Sequence, residues 1–307
     1  MFARFSAKIQ NHYNFGNIIF RINRDLIACV KNNQYDVVFL YGCNKIFPKT
    51  VTTIKSMGIM VFSYQNDDIF SGYYPKYYWH YAKKVCHYVD INYVFRHKNI
   101  KDLNERGIQN ARLLRAYYIK KDNYICNENE IIKDVADVLC LAHFENDERI
   151  VFLEELCKNN IKIGVSSDLG NKIDIRYKDY VQIIDNTRAP FYNKLLCSCK
   201  IPIIFLSSLN NDTYTTRCFE IPAAGAIIFS QYTEDMNSMF EEDKEAVYFR
   251  DKKEFVEKMQ YYLSHDDERK RITEAGHRRL LRDGHEVKDR AMQIYNDFKD
   301  LSCKSSL

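Results

Sequence analysis

The chain has 307 residues, and its 45 Lys and Arg against 41 Asp and Glu give a formal net charge of only +4. This length is enough for two domains of ordinary size, and the balanced charge does not favour a nucleic-acid-binding function. No apolar run approaches the roughly 20 residues that span a bilayer. Ten cysteines without a recognisable signal peptide predict reduced thiols in the cytosol. We therefore expect a cytoplasmic protein, with peripheral contact at the inner face of a membrane left open.

The first part of the chain alternates short apolar runs with helical patterns. Strands are predicted at 35–42, 59–64, 91–97 and 111–119, and helices at 21–32, 51–58, 98–107 and the part of 73–90 that follows Pro75. This rhythm favours a parallel sheet. Residues 120–134 have linker character, so we predict two domains, 1–127 and 128–307.

The second part repeats the alternation. Strands are predicted at 136–141, 161–165, 181–185, 201–206, 226–230 and 246–250, with 166–180 irregular between two of them. One helix is predicted to follow the first of these strands and to end near 159. Further helices are predicted at 189–199, 216–224, 234–241, 252–265, 267–283 and 286–301.

The segment from Ser207 to Gln231 follows the predicted strand 201–206 and combines a polar loop, a short helix and a second apolar strand. Ligands bind outside the carboxyl ends of parallel strands, where this loop is expected to lie. Arg217 can clamp a phosphate by its fork geometry, helped by free N–H groups of the first helical turn. Glu220 can accept two hydrogen bonds from a vicinal diol such as a ribose. The hydroxyls that accompany them belong to Thr213, Tyr214, Thr215 and Thr216.

An alternative interpretation is purely structural. Arg217 and Glu220 can pair within the helix while Thr215 or Thr216 caps it. The spacing alone does not decide between the two interpretations.

Two further clusters follow predicted strands. Asn146 is a good N-cap with Arg149 near the third helical position, so Arg149 can contact a diphosphate while His143 touches the sugar or phosphate. The alternative is an arginine that pairs with a neighbouring glutamate. Asp67 and Asp68 can supply a general base for an acceptor hydroxyl, or can merely cap a helix.

Several motifs are absent from the sequence. It has no G-x-G-x-x-G and no P-loop, which argues against a dinucleotide dehydrogenase or an NTPase. It has no D-x-D, no Ser–His–Asp or Cys–His signature and no cysteine spacing for zinc. We therefore predict neither a metal nor a cofactor.

The run DTYTTRCFEIPAAGAIIFSQYTEDMNSMFEEDKEAVYF, which begins at Asp212, resembles the donor-site segment of GT-B glycosyltransferases. The resemblance is to the spore-maturation-protein (CgeB-like) type, "glycosyl transferases group 1", and is dense over 138–290. It implies two Rossmann-like domains with facing parallel sheets, a cleft between them and a last helix that crosses back. The first βαβ unit of that fold is not recognisable, so the amino-terminal domain is expected to be shortened.

The resemblance also implies roles for individual residues. Glu220 would hold the ribose of a nucleotide-sugar such as a UDP-sugar, and Lys194 would lie near the donor. A partner acid is usual seven residues earlier, where this chain has Thr213. An H-[FY]-x-x-x-x-R pattern of these proteins, met here at His143 and Arg149, supports contacts of both residues with the donor.

The implied function is metal-independent transfer of a sugar to a hydroxyl of a glycan, lipid or protein. A nucleotide-sugar epimerase and a non-catalytic binding or scaffold protein remain as alternatives.

Overall fold

The computed structural model describes the backbone of residues 2–305 and the side chains of residues 8–303. The chain forms two compact units. Unit 1 takes the chain up to Arg115, the short segment Leu209–Asn211 and the chain from Asn296 onward. Unit 2 takes Ala116–Ser208 and Asp212–Tyr295.

Unit 1 contains a parallel four-stranded sheet whose spatial order follows the chain. Its strands are β1 (Val37–Tyr41), β2 (Met60–Gln65), β3 (Ile91–Val94) and β4 (Ala111–Leu113). Its first helices are α1 (Phe2–Tyr13), α2 (Asn17–Lys31), α3 (Pro48–Lys55), α4 (His80–Val85) and α5 (His97–Asn104). Helices α3, α4 and α5 are the crossovers that parallel pairing requires.

The central strands of unit 1 are buried along almost their whole length, as is typical of strands covered on both faces. Two polar side chains within them are hydrogen-bonded to neighbouring groups. Ser63 of β2 donates to Asn92 of β3 over 3.0 Å, and Asn92 in turn donates to the carbonyl of Cys86. These two buried side chains therefore remain hydrogen-bonded inside the sheet.

Unit 2 contains a parallel six-stranded sheet in the order β10-β9-β8-β5-β6-β7. These strands are β5 (Val138–Cys140), β6 (Ile163–Ser166), β7 (Val181–Ile184), β8 (Ile201–Ile204), β9 (Phe229–Gln231) and β10 (Val247–Phe249). The helices are α6 (Arg149–Lys158), α7 (Ser167–Gly170), α8 (Phe191–Ser198), α9 (Arg217–Ala223), α10 (Glu234–Met239), α11 (Lys252–Ser264), α12 (Asp266–Asp283) and α13 (Val287–Ser305). Helix α13 begins in unit 2 and ends in unit 1.

Local chemistry fixes the ends of several unit 2 helices. Thr233 accepts the N–H of Met236 at the start of α10, and Asp251 accepts the N–H of Glu254 at the start of α11. Gly225, with φ of 73°, follows α9 in the left-handed conformation that its sequence position predicts. The core of this unit is built on the aromatic cluster of Phe152, Phe205, Phe229, Phe249 and Phe255.

Each predicted strand overlaps an observed one, but the observed helices differ from our predictions in three places. Helix α1 was not predicted. The helix expected over 73–90 is confined to His80–Val85, because the aromatic residues before it stack in a turn, with the rings of Tyr74 and Tyr78 5.2 Å apart. The irregular stretch 166–180 contains α7 and a 3₁₀ helix at Ile175–Tyr180. Residues 116–127, which we assigned to the first domain, belong to unit 2.

Candidate functional site

The order of the unit 2 sheet reverses between β5 and β8. From β5 the chain builds outward to β7, and it then returns to β8 on the other side of β5 and builds outward to β10. Ligands of open parallel sheets bind beyond the carboxyl ends of the strands at such a reversal. A cavity of about 430 Å³ lies there. It is lined by Tyr117, Ile119, Asp122, Asn123, Leu141, Ala142, His143, Ser166, Thr187, Ala189, Tyr192, Thr216, Arg217 and Glu220.

Arg217 is the first residue of α9, and its half-buried side chain lines the cavity. Among the residues whose side chains are described, none forms a hydrogen bond or ion pair with this guanidinium. The alternative in which it pairs with Glu220 is therefore not seen. Thr216 precedes the helix but makes no capping hydrogen bond, which differs from our expectation. The charge of Arg217 is thus available to an anionic ligand.

Glu220 lies one turn further along α9 and also lines the cavity. Burial raises the pKa of its carboxyl group, while the positive charge of Arg217 and a hydrogen bond from Tyr192 oppose that rise. The Tyr192 hydroxyl donates to Oε2 over 3.4 Å, a long hydrogen bond. A carboxylate in this position can accept stronger hydrogen bonds from a ligand that carries hydroxyl groups.

His143 and Arg149 were predicted to act together, and the structure connects them through the backbone. Arg149 is 4% exposed and donates Nη1 to the carbonyl of His143 over 2.7 Å. Its Nε and Nη2 atoms bind the carboxylate of Asp147 at 2.7 and 2.6 Å. The exposed ring of His143 lines the cavity, whereas Arg149 does not line it. Arg149 therefore fixes the turn that presents His143, and its contact with a diphosphate stays a prediction.

The helix at Arg149 begins later than predicted. We placed Asn146 at the N-cap and Arg149 at the third position, but α6 starts at Arg149 itself. Asp147 accepts the backbone N–H of Arg149 over 3.1 Å, while Glu148 at the N-cap makes no capping hydrogen bond with its side chain. Asn146 therefore lies two residues before the N-cap position.

The other hydroxyls of the central loop face away from the cavity lining. Thr213 donates to Asp235 over 2.6 Å, and its carbonyl accepts from Thr233 over 2.7 Å. Tyr214 is fully buried, and its hydroxyl accepts the N–H of Ala116 over 3.1 Å. The backbone N–H of Thr215 donates to the thiol sulfur of Cys218, with a nitrogen–sulfur distance of 3.3 Å. Their predicted contacts with a donor remain untested.

Lys194 and Tyr192 lie on α8 but have different neighbours. The ammonium group of Lys194 is 3.6 Å from the carboxylate of Glu130, and the residue does not line the cavity. Tyr192 does line it. Residues two apart on a helix do not share a face, so only one of them can point towards Glu220.

Sequence reasoning missed one wall of the cavity. Tyr117 and Ile119 come from the end of the predicted strand 111–119, and Asp122 and Asn123 come from the stretch that we interpreted as a linker. The next residues are held to unit 2 through Asn193, which donates to the carbonyl of Tyr124 over 2.9 Å and accepts its N–H over 3.2 Å. The two aromatic residues at 117 and 118 were the available signal that this segment packs.

Asp67 and Asp68 lie in unit 1 and differ in their surroundings. Asp68 is fully buried and accepts hydrogen bonds from Lys98, Asn99, Asn211 and the N–H of Phe70 at 2.9–3.0 Å. Burial opposes its charge, but these bonds outweigh burial and lower its pKa. Neither aspartate caps a helix, because the next helix starts at His80.

The carboxyl group of Asp67 is half-buried and has fewer favourable contacts. Burial raises its pKa, against the opposing charge of Arg96 and a hydrogen bond from Asn210. Of the two aspartates, only Asp67 has the raised pKa that suits a general base.

The described part of the chain holds no group of three or more His, Cys, Asp or Glu side chains arranged to bind a metal ion. No helix in that part is both long and apolar enough to cross a membrane.

A family model described as "Glycosyl transferase-like" matches residues 149–296. The matched segment contains Arg217 and Glu220 and most of unit 2. A search of curated proteins finds no significant match.

Solved structures resemble the whole chain. A sucrose-phosphate synthase from Thermosynechococcus elongatus superposes with a TM-score of 0.70 at 10% identity, over 93% of this chain and 78% of that one. HepE of Anabaena, solved with UDP and glucose, gives 0.70 at 9% identity, over 92% and 81%. The pneumococcal O-GlcNAc transferase GtfA, solved with UDP and GlcNAc, gives 0.61 at 10% identity, over 90% and 59%.

These likenesses confirm the predicted α/β fold of GT-B type, with its two parallel sheets. The resemblance to glycosyltransferases agrees with the family model, while the spore-maturation-protein subgroup remains a prediction.

Proposed function

We propose that this protein is a glycosyltransferase that uses a nucleotide-sugar donor, with UDP-sugars as the first candidates. The observation that carries the proposal is the cavity at the strand-order reversal, which presents Arg217, paired with none of the described side chains, together with the partly buried carboxylate of Glu220. A guanidinium can bind a diphosphate and a carboxylate can accept hydrogen bonds from a ribose, and here the two lie one helical turn apart. The family model and the UDP complexes of similar folds support the same function.

In this proposal Arg217 neutralises the diphosphate by bidentate hydrogen bonds, and Glu220 accepts from the ribose hydroxyls. The acceptor hydroxyl oxygen attacks the anomeric carbon while the bond from that carbon to the diphosphate breaks. The diphosphate leaves with the electron pair, and Arg217 offsets its growing charge. His143, exposed at the cavity wall, is proposed to contact the sugar.

The hydroxyl proton needs a base, for which we propose Asp67 on the strength of its raised pKa. Asp68 is proposed to hold the loop rather than to react, because its carboxylate is already bound by four donors. We propose no metal, since a guanidinium can stabilise the leaving group. Full activity in the presence of excess chelator is the expected result, and a strict need for a divalent cation would contradict it.

The experiment is incubation of the protein with a panel of nucleotide-sugars, with and without simple glycoside and glycerol acceptors, followed by product analysis. Slow hydrolysis of one donor without acceptor, and a new glycoside with acceptor, support the transferase. Isomerised donor identifies an epimerase instead. A failure of all donors and of the free nucleoside diphosphates to bind identifies a non-catalytic protein and overturns the proposal.

A further inference from the structure

Exposed aromatic side chains concentrate at the junction of α1 and α2 in unit 1. Tyr13, Phe15 and Phe20 are 53%, 67% and 57% exposed, and the exposed ring of Tyr77 lies 5.1 Å from that of Tyr13. We call these four residues the aromatic surface. Monomeric soluble proteins seldom expose neighbouring large apolar groups without a partner.

The fold holds this surface in place. Gly16, with φ of 109°, makes the turn between the helices, and a Cβ atom there would lie 2.7 Å from the Gln10 side chain. That side chain accepts the N–H of Ile18 over 2.9 Å. Asn14 is buried and donates to the carbonyl of Tyr78 over 2.8 Å. The residues on either side of Phe15 are therefore fixed, and Phe15 is held outward.

Helix α2 presents its polar and aromatic side outward for a specific reason. Its buried side is anchored by Asn23, which donates to the carbonyl of Lys45 and accepts from Phe47 N–H and the Thr50 hydroxyl, each at 2.8 Å. This fixes the rotation of the helix and leaves Phe20 outside. A surface groove of about 550 Å³ is lined by Asn17, Ile18, Phe20, Arg21 and Arg24.

Exposed cations lie on the same helices as the aromatic surface and on α3. Lys8, Arg21 and Lys49 are exposed on α1, α2 and α3, and the exposed Arg24 of α2 pairs with Asp25 over 3.0 Å. The same asymmetry extends over the chain: residues 1–115 carry 17 Lys and Arg against 7 Asp and Glu, while residues 116–307 carry 28 against 34. The near-neutral total thus hides a strongly cationic first part and an acidic second part.

We propose that this surface docks peripherally on an anionic lipid bilayer, with Phe15 and Phe20 in the interface and the surrounding cations at the lipid headgroups. Aromatic rings favour the level of the headgroups, and an amphipathic helix with a basic polar side lies in that plane. Each Lys or Arg near an anionic surface raises the affinity roughly fivefold. An acidic protein partner would account for the cations, but it gives no reason for aromatic rings exposed among them.

The test is co-sedimentation of the full chain with vesicles of phosphatidylcholine containing 30 mol% phosphatidylglycerol, which is compared with pure phosphatidylcholine. We expect binding to the anionic vesicles only, and a decrease in binding as salt rises. Arg21→Ser with Lys49→Ser should weaken partitioning about twentyfold, as two cations are lost. Phe15→Ser with Phe20→Ser should weaken it at least tenfold while leaving circular dichroism unchanged.

Matched controls use exposed residues of unit 2. Lys253→Ser with Arg278→Ser removes the same charge from side chains that are 83% and 69% exposed, and should leave partitioning within twofold of wild type. The proposal is overturned if the unaltered protein does not bind to anionic vesicles. It is equally overturned if the surface variants and the control variants lose the same affinity, because non-specific attraction then suffices.

Discussion

Tyr192 and Glu220 are joined by a 3.4 Å hydrogen bond from the phenolic hydroxyl to Oε2, at the wall of the unit 2 cavity. This hydrogen bond is too long to offset the free-energy cost of burying the carboxylate, whose pKa is raised. Glu220 is therefore held in a state that costs stability and that a hydroxyl-bearing ligand would relieve. Such a trade of stability against binding is common at functional sites.

Glu220→Gln should stabilise the free protein and weaken nucleotide binding. A raised pKa means that the folded state holds the proton more tightly, so stability falls as pH rises from the ordinary value of 4.5 through the raised value. The amide removes this loss at neutral pH. We expect an increase in Tm, where about 2–4 °C would correspond to about 1 kcal/mol.

Two measurements check this prediction together. Thermal unfolding between pH 4 and pH 8 should show wild type and variant converging at the acid end, and calorimetry with UDP should show weaker binding by the variant. Glu274→Gln on α12 is the control, since that carboxylate is 70% exposed and should change neither quantity. A less stable variant at pH 7 would show that Glu220 is structural.

Arg217→Ala should lower the affinity for UDP by about ten- to a hundredfold, because a hydrogen bond to a charged group contributes about 1.5–3 kcal/mol. Arg217→Lys should recover only part of this, since an ammonium group cannot bind a diphosphate through a fork. The measurement is isothermal titration calorimetry. Lys253→Ala is the matched control, because its side chain is 83% exposed on α11 and does not line the cavity. Equal affinities in all four proteins would rule out this role for Arg217.

Arg149→Met should destabilise unit 2 and not act on binding alone. The buried guanidinium holds Asp147, Glu145 and the carbonyl of His143, and its removal leaves two carboxylates with no compensating charge. Removing one partner of a buried ion pair costs about 3–5 kcal/mol, and we expect about 2–4 kcal/mol because the carboxylates are partly exposed. Urea denaturation followed by fluorescence measures it. An unchanged midpoint combined with lost UDP binding would instead support a direct contact with the donor.

The strands were predictable because each is a short apolar run bounded by turn residues, and the central strands are buried along most of their length. The order of the strands in the unit 2 sheet was not predictable, because no local sequence pattern indicates that β8 pairs with β5 on the side opposite β6. Helix α1 was not predicted, although its apolar residues recur at helical spacing, because we examined residues 1–16 only as a possible signal segment.

The place of Arg217, Glu220 and His143 in the cavity lining was predictable because each is a polar residue that follows a predicted strand, while their roles stay predictions. The contacts of a polar residue were not predictable where it had a choice of partners. Arg149 could reach a ligand or fold back on Asp147, and only the start of α6 decides this. Thr213 had the same choice and donates to Asp235, which is 22 residues away in the chain. The wall formed by 117–123 was missed because its first residues were assigned to a strand of the first domain and its polar remainder to a linker.

Asp67→Asn and Asp68→Asn should separate a reacting carboxylate from a structural one. Asp68 has a lowered pKa, so its charge adds stability above the ordinary value of 3.8 that is lost as pH falls through the lowered value. Asp68→Asn should therefore destabilise the protein at pH 7, by about 1–3 kcal/mol for the lost charged hydrogen bonds, and the difference should shrink in acid. Asp67 has a raised pKa, so Asp67→Asn should leave stability at pH 7 equal or higher.

Activity then gives the complementary result. With a general base removed, Asp67→Asn should slow glycosyl transfer by about a hundredfold to ten-thousandfold and leave the dissociation constant of UDP unchanged. The rate of the wild type should fall as pH decreases through the raised pKa of Asp67, above the ordinary value of 3.8, because the protonated carboxyl cannot accept the acceptor proton. Transfer rates from pH 4 to pH 8, measured beside urea denaturation of both variants, provide the check. If Asp68→Asn alone abolished transfer while remaining fully stable at pH 7, the roles proposed for the two aspartates would be reversed.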